Sequence, residues 1–171
     1  IPPLNLEQRL SYLLDYPHGC AEQITSQAFP QLALSWLLAL SPEQQITAEN
    51  NVREVINRLR SYQTPEGGFA YWPGEPYISE WATSYAVNFL ANAQKQGYAV
   101  PIQMLQHATN YMRQVANSWN RTEPWSQQDQ AYRLYVLALA GKPDLAAMNR
   151  LKETRLQRPV SQWLLASAYA L

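Results

Sequence analysis

Apolar residues recur along most of this chain at the three- and four-residue intervals of amphipathic helices. The clearest examples are residues 52–59, with apolar side chains at i, i+3, i+4 and i+7, and residues 78–96, where an aromatic side chain returns every fourth position. Almost no stretch shows the alternation of apolar and polar residues that is typical of a half-buried strand. The pattern therefore predicts an all-α fold.

Prolines, glycines and capping residues divide the pattern into helical segments. Pro30 predicts a kink or a short break in the second segment, and residues 126–129, Ser-Gln-Gln-Asp, resemble a capping box that opens the sixth. A long loop is expected over residues 63–77. The predicted segments are 4–14, 20 to about 40, 42 or 47 to 59, 78–96, 101 to about 120, 126–141, 143–151 and 159 onwards.

The pattern also predicts burial. The second segment is apolar on several sides, which is typical of a buried helix. In the third segment, Arg53, Arg58 and Arg60 lie largely opposite the apolar stripe, so we expect them on a solvated face.

Composition limits the size and the partners of the protein. The chain has 171 residues, enough for one domain with a sizeable core, and 13 basic residues balance 13 acidic ones. This balance gives no electrostatic footprint for nucleic acid or an anionic membrane. The sequence ends inside an apolar run, so we expect residues 1–171 to be a single domain truncated at its C-terminal end.

Candidate chemistry centres on Cys20, the only cysteine, which follows Gly19 where a helical pattern begins. Residues three positions apart share one face of a helix, so the side chains of Cys20 and Gln23 are within reach of each other. The positive end of the helix dipole favours a thiolate, which can attack the Gln23 carboxamide with loss of ammonia. The product is an internal thioester. Otherwise a lone cysteine is a small buried hydrophobe.

Residues 19–23 read Gly-Cys-Ala-Glu-Gln and resemble the Gly-Cys-x-Glu-Gln signature of the thioester proteins, the alpha-2-macroglobulins and complement components. Ala21 stands where animal members usually carry glycine. This variation, the preceding Tyr-Pro-His and the following Thr-Ser-Gln are similar to the bacterial alpha-2-macroglobulins. The chain thus resembles the thioester domain of a bacterial alpha-2-macroglobulin, most specifically around Cys20.

The resemblance implies a fold and a mechanism. The fold is an α/α toroid of helical hairpins, shared with terpene cyclases and prenyltransferases, and we expect a partial toroid here. The implied function is not enzymatic: a protease cuts a bait region elsewhere, the molecule rearranges, and the exposed thioester acylates the protease once. Cys20 is the leaving group, Gln23 supplies the acyl carbon, and Glu22 assists by hydrogen bonding or is an ordinary surface carboxylate.

The resemblance also implies surroundings and partners. Tyr16 and the aromatic residues of the loop at 69–72 are expected to shield the thioester from water. The implied partners are target proteases, joined through lysine amines, and other domains of the same macroglobulin. Bacterial members are periplasmic, often anchored as lipoproteins to the inner membrane, and associated with a peptidoglycan synthase. No cofactor or metal is implied.

The choice of nucleophile depends on a histidine in complement-type members, where a downstream loop supplies an imidazole that attacks the thioester first. The matching loop here, residues 119–128, contains no histidine, and His107 falls in the preceding helix. We therefore expect direct attack by amines and lysine amides on trapped proteases.

Alternative functions use other residues. A terpene cyclase or prenyltransferase needs clustered aspartates or a metal site, but the aspartates are scattered. A glycan-active toroid would combine exposed tryptophans with a pair of glutamates, and a hydrolase would pair Cys20 with His18 or His107. A helical scaffold without chemistry is a further alternative. The residues concerned are Asp15, Asp129 and Asp144 for the first, and Trp72, Trp81, Trp119, Trp125, Glu75, Glu80 and Glu123 for the second.

Overall fold

The computed structural model describes residues 14–120 and 123–171. No strand forms in these ranges, so the all-α prediction is confirmed. None of the described helices combines the length and the apolar character that a membrane crossing requires. The α-helices are α1 (Ala21–Ala28), α2 (Leu34–Leu37), α3 (Pro42–Arg58), α4 (Glu80–Lys95), α5 (Ile102–Ser118), α6 (Pro124–Leu139), α7 (Leu145–Glu153) and α8 (Pro159–Ala170), and 3₁₀ turns span Pro30–Leu32 and Leu59–Tyr62.

The helices form two layers. In the inner layer, α1 packs against α4, α4 against α6, and α6 against α8. In the outer layer, α3 packs on α1, α5 on both α4 and α6, and α7 on both α6 and α8. This alternation of inner and outer helices is the predicted α/α toroid architecture.

Short connections fix the direction of the inner helices. From α4 onwards the chain passes from inner to outer helix through loops of a few residues, which makes neighbouring helices antiparallel. The inner helices α4, α6 and α8 therefore run in the same direction. The N-terminus of α1 joins the N-terminus of α4 through the loop after α3, because Tyr71 accepts a hydrogen bond from Ala21 and Phe69 accepts one from Ser79.

The core lies between the two layers. On α4, Ala82, Ala86 and Ala93 let the neighbouring helices approach closely, while Phe89 and Leu90 fill the space between them. Burying a side chain of this size stabilises the fold by roughly 1.5–3 kcal/mol. This packing holds the N-termini of the inner helices in place.

Several predicted boundaries are confirmed, and others are wrong. The break at Pro30 is confirmed, because α1 ends at Ala28 and the 3₁₀ turn follows. Ser41 caps α3 and forms a capping box with Gln44, which settles the alternative starts at 42 and 47. Apart from Leu14, which lies in a turn, the predicted helix over 4–14 lies outside the described residues.

Two expectations about helices are corrected. The segment from 20 to about 40 is not buried throughout, because Trp36 and Leu37 on α2 are mostly exposed. The capping box at 126–129 is wrong. The helix α6 already starts at Pro124, and the Ser126 hydroxyl accepts a hydrogen bond from the Trp119 indole instead of capping the helix.

Candidate functional site

Cys20 is the N-cap of α1, with φ −70° and ψ 171°. Gln23 lies in the first turn, and its carboxamide oxygen Oε1 accepts a hydrogen bond of 3.0 Å from the Cys20 backbone N–H. In return, the Cys20 side chain faces the Gln23 backbone N–H, so the pair forms a capping box with cysteine in the place of serine. The structure thus places the side chain of each residue beside the backbone N–H of the other, at the start of α1.

Gly19 makes room for the Gln23 carboxamide. Its φ of +109° is a conformation that residues with a side chain rarely adopt. A Cβ at this position would lie 2.1 Å from Oε1 and 2.9 Å from Cδ of Gln23. Glycine is therefore required both by the backbone and by the close approach of the carboxamide.

The site is open to solvent on one side. Cys20 is half-buried and Gln23 is exposed, so a nucleophile can approach the carboxamide. Glu22 lies in the first turn of α1, where a carboxylate interacts favourably with the helix dipole. Within the described residues the Glu22 side chain makes no hydrogen bond, so no contact supports its predicted assisting role.

Contacts from distant parts of the chain hold the segment before α1. The Tyr62 hydroxyl donates to the Gly19 carbonyl at 2.8 Å, and the Arg58 guanidinium donates to the Pro17 carbonyl. The expectation that Arg58 lies on a solvated face is therefore wrong. Sequence reasoning missed both roles, although Arg58 and Tyr62 are spaced to lie on one face of a helix.

The shielding prediction fails for Phe69 and stays a prediction for Tyr16, Tyr71 and Trp72. Tyr16 lies in the segment before Cys20, where its ring is 4.7 Å from His18 and its hydroxyl donates to Glu54 at 2.9 Å. Phe69 does not cover the site, because its ring is fully buried in the core. Its loop contributes backbone, since Tyr71 accepts the Ala21 N–H at 2.9 Å.

Trp81 and Glu80, two residues of the glycan alternative, are committed to contacts between helices. The Trp81 ring stacks on the Tyr85 ring at 5.9 Å and lies 5.3 Å from the Tyr132 ring. Burial raises the pKa of Tyr132 to about 12. Glu80 forms an ion pair with the buried Arg133 at 2.5 Å. These contacts belong to the interface between α4 and α6, whereas Trp72 and Trp125 are about half exposed.

The histidines and aspartates give no support to the remaining alternatives. His18 packs on Tyr16, while His107 on α5 lines a shallow cleft with Arg60 and Gln63. In the described part of the chain neither imidazole is hydrogen-bonded to Cys20, and no three potential metal ligands converge.

Comparisons with known proteins point to one family. The sequence profile described as "A-macroglobulin TED domain" matches residues 3–120. The chain is 30% identical over 166 residues to the Escherichia coli protein named alpha-2-macroglobulin, which covers 90% of this chain and 10% of that protein.

Solved structures give the same result. A crystal structure of Salmonella alpha-2-macroglobulin reacted with methylamine superposes with a TM-score of 0.80 at 29% identity, covering 98% of this chain and 12% of the other. The native conformation of the Escherichia coli protein gives a TM-score of 0.81 at 27% identity, covering 99% of this chain and 12% of the other. The chain therefore spans about a tenth of the length of the proteins it matches.

Proposed function

This chain belongs to the A-macroglobulin TED domain family, and we propose that its Cys20 and Gln23 side chains join in an internal thioester. The observation that carries the proposal is the hydrogen bond from the Cys20 N–H to the Gln23 carboxamide oxygen, with Gly19 leaving space for that oxygen. Their i, i+3 placement at a helix start keeps thiol and carboxamide within one turn.

The same geometry suits formation of the bond. When the Cys20 sulfur attacks Cδ of Gln23, the carboxamide oxygen takes on negative charge. The Cys20 N–H already donates to that oxygen, and the α1 N-terminus adds the positive end of the helix dipole. The C–N bond of the carboxamide then breaks, ammonia leaves with the thiol proton, and the thioester remains.

The thioester is then an acylating group for a single turnover. An amine attacks the acyl carbon of Gln23, the carbon–sulfur bond breaks, and Cys20 leaves as a thiolate that accepts a proton. An amide joins Gln23 to the attacking molecule. The exposure of Gln23 provides the approach for the amine. Methylamine, with which the Salmonella protein was reacted, is an amine of this kind.

For the complete protein, we propose covalent trapping of proteases. Cleavage of a bait region elsewhere would expose the thioester, and a lysine amine of the attacking protease would become acylated. This proposal extends from the family to a protein about ten times longer than the chain. The other domains of that protein are the partners that keep the thioester shielded until cleavage.

Location and further partners remain proposals from the resemblance. We propose the periplasm or cell envelope, with a lipoprotein anchor to the inner membrane and a peptidoglycan synthase as an associated protein. Fractionation of cells that carry the complete protein would test the location, and recovery in the cytoplasmic fraction would contradict it.

The trapping function is tested by replacing Cys20 with alanine in the complete protein. Protease added to the wild type should give a conjugate that survives a denaturing gel, whereas Cys20→Ala should give none because it cannot form the thioester. Bait cleavage should be equal in both proteins, which is the control. Undiminished conjugates with Cys20→Ala would contradict the proposal.

A further inference from the structure

One face of the third helix and the turn after it carries four side chains that contact the segment before Cys20. Asn51, Glu54, Arg58 and Tyr62 are spaced by three, four and four residues, which places them along a single helical face. We call this row the α3 ladder. Its partners, in the same order, are residues 14, 16, 17 and 19.

The first two contacts of the ladder hold the start of the segment. The Asn51 amide, which is buried, donates to the Leu14 carbonyl at 3.0 Å. The Tyr16 hydroxyl donates to the Glu54 carboxylate at 2.9 Å. The segment is thereby fixed alongside α3 from its first described residue.

The last two contacts reach the site itself. The Arg58 guanidinium donates to the Pro17 carbonyl, and its carbon Cζ lies 5.8 Å from the centre of the Tyr16 ring. The Tyr62 hydroxyl donates to the Gly19 carbonyl at 2.8 Å, and Tyr62 is only 2% exposed. A buried hydroxyl with this one acceptor restrains the peptide that directly precedes Cys20.

We propose that the α3 ladder, and above all Tyr62, positions the Gln23 acyl group for the chemistry at Cys20. This inference rests on the proposed thioester. The Tyr62 bond holds the Gly19 peptide at φ +109°, and the Gly19 Cα is the surface against which the Gln23 carboxamide lies. Tyr62 thus acts on the acyl oxygen through Gly19, without touching it.

Loss of this restraint has a defined chemical consequence. If the Gly19 peptide turns, the adjoining Cys20 N–H moves away from the acyl oxygen, and the hydrogen bond that stabilises charge on that oxygen weakens. Thioester formation becomes slower by about fivefold, which is the size expected for one lost hydrogen bond. The carbonyl stretching band of the thioester moves to higher frequency for the same reason.

The experiment compares Tyr62→Phe with the wild type in the complete protein. Arg58→Lys tests the neighbouring contact. Tyr132→Phe is the control for loss of a tyrosine hydroxyl away from the site, because the Tyr132 hydroxyl accepts a hydrogen bond of 2.9 Å from the Asn88 amide in the interface of α4 and α6. Intact mass gives the fraction of molecules that have lost ammonia after a fixed time. Isotope-edited infrared spectra give the thioester carbonyl band, and thermal unfolding checks the fold.

We expect Tyr62→Phe and Arg58→Lys to lower the ammonia-free fraction and to shift the carbonyl band upward, while Tyr132→Phe changes neither. A purely structural role of Tyr62 predicts a lower melting temperature with an unshifted band, and that result would overturn the inference. If the wild type forms the thioester and Tyr62→Phe behaves like Tyr132→Phe, the inference fails while the proposed function stands. If the wild type itself keeps its ammonia, both fail.

Discussion

At the scale of single residues, Gly19 decides whether the site can exist. Its positive φ and the 2.1 Å that would separate a Cβ from the Gln23 oxygen are two independent requirements for glycine. A second glycine, Gly97, shares only the backbone requirement. Gly97 has φ +89°, but a Cβ there would meet no atom within 4 Å.

We predict that Gly19→Ala prevents formation of the thioester and that Gly97→Ala does not. Both substitutions place alanine at a positive φ, so each lowers stability by roughly 1–2 kcal/mol. Only Gly19→Ala also displaces the carboxamide. Intact mass of both variants, with unfolding curves, checks the prediction, and an ammonia-free Gly19→Ala protein would refute it.

Sequence reasoning finds local relations at this scale and misses distant ones. The pairing of Cys20 and Gln23 could be predicted because residues three positions apart lie on the same face of a helix. The Tyr62 bond to Gly19 joins positions 43 residues apart, and no spacing rule in a single sequence links them. For the same reason the helical pattern alone places Arg58 in solvent.

At the scale of helices, polar groups at the termini fix where each element begins. Asp144 caps α7 by accepting the Ala147 N–H at 3.0 Å, and Asn117 of α5 donates to the same carboxylate at 2.8 Å. Burial raises the pKa of Asp144, but these hydrogen bonds and the charges of Arg113 and Arg150 outweigh it. The pKa of Asp144 is therefore lower than usual.

A lowered pKa in the folded state makes the ionised Asp144 a source of stability above the ordinary value of 3.8. That contribution is lost as the pH falls through the folded-state pKa. We predict that Asp144→Asn destabilises the protein by about 0.5–1 kcal/mol at neutral pH, and that the difference disappears in acid. Urea unfolding from pH 7 downwards checks this, with Glu153→Gln on the same helix as control. A difference independent of pH would contradict it.

Helix positions could largely be predicted from the sequence, whereas some starts could not. Pro30 ends α1 for a local reason, the missing N–H of proline. Ser126 has the local features of a cap, yet the Trp119 indole binds its hydroxyl, so a tertiary contact overrides the pattern.

At the scale of the whole molecule, the fold brings the starts of the inner helices α1 and α4 together beside the site. The loop after α3 joins the starts of α1 and α4 through Tyr71 and Phe69. The layered fold could be predicted from the resemblance and from the helical periodicity. The contacts between layers could not, because they depend on which helices become neighbours.

Whether an amine or a hydroxyl attacks the proposed thioester is also decided at the scale of the whole molecule. Residues 119–128 contain no histidine, and His107 on α5 lines a shallow cleft with Arg60 and Gln63. We predict that a primary amine inactivates the complete protein in preference to glycerol at equal concentration, because residues 119–128 supply no imidazole to make an acyl intermediate. Mass spectrometry of the Gln23 peptide distinguishes amide from ester. Preferential ester formation would show that a histidine comes from elsewhere.

The central claim is the covalent bond between Cys20 and Gln23, and the intact mass of the complete protein tests it most directly. Before treatment, the mass should be lower than the sequence mass by one ammonia. After methylamine it should rise by one methylamine, with a free thiol at Cys20 and an N-methyl amide at Gln23. A mass equal to the sequence mass, unchanged by methylamine, would contradict the account.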